Sequence, residues 1–139
     1  MKRFLSLKVS LIVLAFCFAT VIGLSAQTLT TLYSFAGSTG GGDPIGPLVQ
    51  GFDGNFYGIS QLGTNFAPTV FRISPNGEFS TLYTFCSTVT CPTGTAPQVP
   101  LALATDGSFY GITYLGGAYG YGTVYRLLTT GEKTTVYSF

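Results

Sequence analysis

Histidine is absent from the 139-residue sequence, and Asp, Glu, Lys and Arg together make up only 8% of it. Without histidine, neither a Ser-His-Asp triad nor a Cys-His pair can be assembled, and the commonest general base is missing. Cysteine is nearly as scarce: Cys17, Cys86 and Cys91 are the whole supply. A zinc site would need more ligands than the thiols and imidazoles available. Of the five carboxylates, Asp53 and Asp106 fall in matching turns, and Glu78 and Glu132 follow matching turn glycines. That equivalence favours structural roles over a glycosidase dyad, which needs two carboxylates converging on one bond. Asp43 stands in a glycine run, and one carboxylate makes a poor calcium site. The glycine runs precede no helix, so neither a phosphate loop nor a dinucleotide fingerprint is supported. No catalytic group, metal or cofactor is therefore expected.

Long apolar runs are also missing after residue 24. The one such run, residues 9–24, follows the basic Met1-Lys2-Arg3 and Lys8 and closes on Gly23-Leu24-Ser25-Ala26-Gln27. It reads as the helix of a secretory signal peptide cut after Ala26, being short for a bilayer span of about 20 residues. The remainder carries three cations (Arg72, Arg126, Lys133) against five anions (Asp43, Asp53, Glu78, Asp106, Glu132), a net charge of −2. No basic patch exists to engage nucleic acid. Cys86 and Cys91 survive processing, and in an exported chain a local disulfide between them is expected.

What the sequence does have is a repeat. Asp53-Gly54-Asn55-Phe56-Tyr57-Gly58-Ile59-Ser60 returns as Asp106-Gly107-Ser108-Phe109-Tyr110-Gly111-Ile112-Thr113. Thr69-Val70-Phe71-Arg72-Ile73 returns as Thr123-Val124-Tyr125-Arg126-Leu127, a period of 53 to 54 residues. Leu32-Tyr33-Ser34-Phe35, Leu82-Tyr83-Thr84-Phe85 and Val136-Tyr137-Ser138-Phe139 form a third recurring set. Periods of this size belong to architectures whose units bury a core only by stacking.

Each unit reads as four short antiparallel strands. Residues 47–52 and 55–60 flank Asp53-Gly54, and the second copy flanks Asp106-Gly107 likewise; these are hairpin signals of the type I′ kind. Residues 69–74 and 79–85, and again 123–128 and 133–139, flank further glycine turns. The set at 32–35 is read as one more strand. No 3.6-residue apolar period appears beyond the leader, so the fold class is all-β, two tandem four-stranded repeats resembling propeller blades. The expected organisation is a leader over 1–26, one repeat over 27–85 and the other over 86–139. Alternation places Phe71 with Ile73 and Tyr125 with Leu127 on one face, and Val70 with Arg72 and Val124 with Arg126 on the other. Gly58 and Gly111 inside strands point to a bulge or to a ring from the next unit. Arg72 and Arg126 are expected to pair with nearby carboxylates or carbonyls.

The first and third turns of each unit are tight, whereas residues 61–68, 86–100 and 114–122 are long, so the long connections share one end of the sheets. Loop-bearing ends are where ligands bind. Tyr114, Tyr119 and Tyr121 are the candidates for stacking on sugar rings; the competing reading of the glycine-rich 116–122 is a simple link.

These units, with Asp-Gly-x-Phe-Tyr-Gly, Gly-Gly-x-x-Gly-Tyr-Gly-Thr-Val and a Tyr-x-Phe end, resemble the Gloeo/Verruco tandem repeat of exported bacterial proteins. The resemblance covers residues 28–139 and implies propeller-like stacking and a place outside the cytoplasm, secreted, periplasmic or on the cell surface, without bringing catalytic residues. Residues 61–68 depart from the glycine pattern of the second copy. Two function classes follow: a non-enzymatic structural or interaction module that pairs with itself or with like repeats, and a piece of a larger propeller enzyme or carbohydrate-binding protein.

Overall fold

Runs of β-branched and aromatic residues separated by glycine turns fold into nine strands in the computed structural model, which describes residues 28–37, 41–63, 66–88 and 90–139. The expected leader helix over residues 1–26 lies outside the described residues. All nine strands belong to one unit, Thr31–Phe139. No α-helix occurs among the described residues, and none of their helices is long and apolar enough to cross a membrane.

The first sheet is an antiparallel meander of β1 (Gly42–Gln50), β2 (Phe56–Leu62), β3 (Thr69–Ile73) and β4 (Phe79–Thr84). The second has five strands, β5 (Thr95–Pro97), β6 (Ala102–Leu103), β7 (Phe109–Leu115), β8 (Thr123–Leu127) and β9 (Lys133–Ser138). The fifth strand arises because β5 and β6 divide the work of β1. Thr95 and Pro97 pair with Leu115 and Thr113 as Gly42 and Pro44 pair with Leu62 and Ser60. Ala102 and Leu103 face Tyr110 and Phe109 as Val49 and Gln50 face Tyr57 and Phe56. Between those halves β1 carries a register shift, and residues 98–101 leave the ladder altogether; Pro100 is not the difference, since Pro47 stands at the same place in the continuous β1. The first strand of each repeat thus starts earlier than the apolar pattern suggests.

All four tight hairpins close in one way. Gly54 N donates to Gly51 O and Gly51 N to Asn55 O, and the same pair of bonds recurs around Gly77, Gly107 and Gly131. In each turn only the glycine has positive φ, 80° at Gly54 and at Gly107. This is a type I turn followed by a glycine bulge, not the type I′ turn read from Asp-Gly, in which the aspartate too would have positive φ. The aspartate instead accepts a hydrogen bond at Oδ1, from Asn55 N at 3.2 Å in the first repeat and from Ser108 N at 2.9 Å in the second.

Gly58 lies opposite Phe71 and Gly111 opposite Tyr125 in the ladder. A Cβ on Gly58 would come within 2.5 Å of Phe71 Cζ, and one on Gly111 within 2.4 Å of Tyr125 Cζ. The ring that needs each glycine therefore comes from the neighbouring strand of the same sheet, not from the next unit. The 32–35 set also differs from expectation: it lies outside the strands, although its Tyr33 ring stacks on Phe79 at 4.5 Å.

One core sits between the sheets. Tyr57, Ile59 and Val70 from the first meet Phe109, Tyr125 and Leu127 from the second, with Phe85 and Leu101 among them. Tyr57 and Phe109 are 4.3 Å apart between ring centroids, and Phe85 meets Tyr125 edge-on at 5.4 Å. Apolar area removed from water at about 25 cal/mol per Å² is what holds the repeats together.

Candidate functional site

The two sheets are equivalent in register but not in cover. Ile59 pairs with Val70 and Val70 with Tyr83 across the first sheet; Ile112, Val124 and Tyr137 take the same places in the second. Ile59 is 1% exposed because the second sheet lies over it, whereas Ile112 is 46% and Tyr137 59% exposed. Tyr110 and Val124 are half-buried where Tyr57 and Val70 are fully buried. The second sheet therefore presents, uncovered, the surface by which the first sheet binds its neighbour. A shallow concavity of about 240 Å³ lined by Val99, Pro100, Ala102, Tyr110, Ile112 and Val124 lies on it.

A second hollow, about 280 Å³, adjoins it and shares Ile112; its walls include Tyr114, Leu115, Tyr121 and Phe139. Two of the three candidate tyrosines, Tyr114 and Tyr121, thus come together, while Tyr119 stands apart on the loop, 74% exposed. Their counterparts in the first repeat show what this region does when covered. Gln61, which corresponds to Tyr114, donates from Nε2 to Pro97 O at 2.6 Å, and Phe85, which corresponds to Phe139, is buried. The long connections do meet: Gly117 N donates to Cys91 O at 2.9 Å. Cys86 and Cys91 are joined as a disulfide in the link between the sheets.

The turn carboxylates are held by structural bonds. Partial burial pushes the Asp53 carboxyl up, but hydrogen bonds from Tyr57 Oη at 2.7 Å and from Asn55 outweigh it and hold it below its ordinary range. Tyr57 is in turn pushed up to about 12, first by burial and then by that bond to the carboxylate. Asp106 is also held low, chiefly by Ser108 N and further by Arg126, whose guanidinium lies 3.0 Å away. Arg126 thus pairs with a carboxylate as expected; Arg72 instead donates from Nε to Ser80 Oγ at 3.2 Å. Asp43 has positive φ, and no group of three His, Cys, Asp or Glu able to hold a metal occurs among the described residues.

One residue of the junction is not signalled by the motifs. Lys133 places Nζ 5.4, 5.7 and 5.2 Å from the ring centroids of Tyr83, Phe85 and Tyr125 and donates to Thr93 O. Burial pushes its ammonium down to about 8. Aligning the repeats puts Lys133 opposite Phe79, and a cation where the other copy has a ring is the signal that identifies it.

The sequence matches the Gloeobacter/Verrucomicrobia repeat over residues 18–139. The chain belongs to this repeat family. No curated protein matches the sequence. In this Gloeobacter/Verrucomicrobia repeat protein the family signature maps onto the parts that build a unit. Asp-Gly closes the first hairpin, the following glycine receives the cross-strand ring, and the Tyr-x-Phe end supplies Tyr83 and Phe85 to the junction.

Proposed function

We propose that the protein is an exported, non-enzymatic module of propeller-like stacking that works by contact, through the uncovered face of its second sheet. The observation that carries this is the difference in exposure between Ile59 and Ile112 at equivalent positions. A chain without histidine, with its turn carboxylates tied into hairpins, has the make-up of a scaffold and not of a catalyst. Large apolar side chains gathered on one open face mark an interaction surface. Export is tested by mass spectrometry of the extracytoplasmic fraction: a chain beginning at Gln27 is expected, and a chain retaining Met1 in the cytoplasm would overturn it. Contact is tested with Ile112→Lys, which should abolish concentration-dependent association while preserving the circular dichroism spectrum; association unchanged by the lysine would refute this face. Turnover in a broad hydrolase panel, lost on a single substitution, would refute the non-enzymatic reading.

A second reading rests on the hollow shared by Tyr114, Tyr121 and Phe139. Exposed aromatic rings lining a concavity suit a sugar ring, and a glycan array would report it. Binding that survives Tyr121→Ala would count against that hollow.

A further inference from the structure

We infer that residues 31–35 are a removable plug imitating the end of β9, and that a second copy of the chain docks head to tail by setting its own β9 in their place. The inference rests on the contact reading above and names the partner of that face.

The chain itself shows how such a segment seats on a sheet. Thr81-Leu82-Tyr83-Thr84-Phe85 belongs to the first repeat but lies against the second sheet. The Leu82 carbonyl oxygen is 2.6 Å from where a Cβ on Gly131 would stand, Phe85 meets the Tyr125 ring, and Tyr83 and Phe85 flank Lys133. Residues 31–35 repeat each of these contacts on the first sheet. The Leu32 carbonyl oxygen is 2.4 Å from a Cβ position on Gly77, Phe35 meets Phe71 edge-on at 5.2 Å, and Tyr33 and Phe35 flank Phe79. Even the edge-on pairing within the segment is kept, at 5.1 Å for Tyr33 with Phe35 and 5.0 Å for Tyr83 with Phe85.

A third version of the segment ends the sequence. Thr135-Val136-Tyr137-Ser138-Phe139 differs from Thr31-Leu32-Tyr33-Ser34-Phe35 at one position. It has the same edge-on pair, Tyr137 with Phe139 at 5.1 Å, and its Val136, Tyr137 and Phe139 are all exposed. A site that accepts Tyr33 and Phe35 has the shape for Tyr137 and Phe139. Docking a second copy there continues the interface already present between the sheets: Tyr110, Ile112 and Val124 of one copy come over the side of the other's first sheet that carries Leu48, Phe71 and Ile73. Exchanging one segment for its near-copy loses and regains the same contacts, and the burial of Ile112 and its neighbours then favours the joined state, as in domain swapping. The contact is heterologous, so it propagates into chains or closed rings.

The test is sedimentation velocity over a concentration series. Tyr33→Ser combined with Phe35→Ser should weaken the plug and lower the concentration for association by roughly tenfold or more. Ile112→Lys in that background should restore the monomer. For the unaltered protein, an excess of the free peptide Thr-Val-Tyr-Ser-Phe should block association by filling the site, which keeps the test valid if the serine variant does not fold. Association abolished by Ile112→Lys but insensitive to both plug substitutions and peptide would overturn the plug and leave the contact reading standing. Association indifferent to Ile112→Lys, or none at any concentration, would overturn both.

Discussion

Gly111→Ala tests the pairing of glycine with a cross-strand ring. An alanine Cβ would stand 2.3 Å from Tyr125 Oη, 2.4 Å from Cζ and 2.9 Å from Cε1, where ordinary contact begins near 3.4 Å. The ring would have to retreat by about 1 Å, yet Tyr125 is fully buried and wedged against Phe85. The backbone gives no relief and adds no strain, since Gly111 is not in the left-handed region. Overpacking of this kind costs about 1–3 kcal/mol, while replacing a strand glycine by alanine returns about 0.5–1 kcal/mol. With a rigid ring in place the upper range applies, so we expect a net loss of about 2 kcal/mol in guanidinium denaturation followed by circular dichroism. Tyr125→Leu alone should also destabilise, but the double variant should be no worse than Tyr125→Leu, because the methyl then occupies vacated space. Gly107→Ala serves as control: its φ of 80° costs about 1 kcal/mol whatever stands at 125. Additive losses for Gly111→Ala and Tyr125→Leu would refute the argument.

Tyr125 Oη is buried without a hydrogen-bond partner among the described residues, and the first repeat has Phe71 at that place, so Tyr125→Phe should stabilise by about 1 kcal/mol in the same assay. Stability should rise with pH above 8, because the unfolded Lys133 keeps its proton to about 10.4 while the folded one releases it near 8; above pH 10 it should fall, because folded Tyr57 holds its proton to about 12. Lys133→Met should remove the rising limb alone, and a flat profile between pH 8 and 10 in the unaltered protein would contradict the burial of that ammonium. Replacing Cys86 and Cys91 by serine should cost about 2 kcal/mol by the chain entropy of so short a loop, read as a lower unfolding temperature; no change would mean the link is held by its backbone bonds.

The repeat period and the strand order were legible because both depend on side-chain patterning, which the sequence displays directly. Turn type was not: Asp-Gly permits positive φ at both residues, and the choice of a type I turn depends on the aspartate's bond to the backbone two residues on. The break between β5 and β6 was not legible either, because the prolines Pro97 and Pro100 recur as Pro44 and Pro47 in the unbroken β1. For the candidate site, the tyrosine loop was visible in composition, whereas the open face was not, since Ile59 and Ile112 are the same letter in the same motif. Their difference comes from what stacks above, a property of neighbours that no local pattern encodes. Lys133 was hidden for the opposite reason: it breaks the repeat, and the eye follows what recurs.

Lys133 also gives the chain a direction. Its ammonium is served by Tyr83 and Phe85 of the first repeat and by Tyr125 and the Thr93 carbonyl of the second, whereas Phe79 at the equivalent place meets the rings of Tyr33, Phe35 and Phe71. A chain assembled with its halves interchanged would take Tyr83 and Phe85 from beside that ammonium. The two halves, so alike in their letters, are thereby ordered like words in a sentence, and one amine is the grammar.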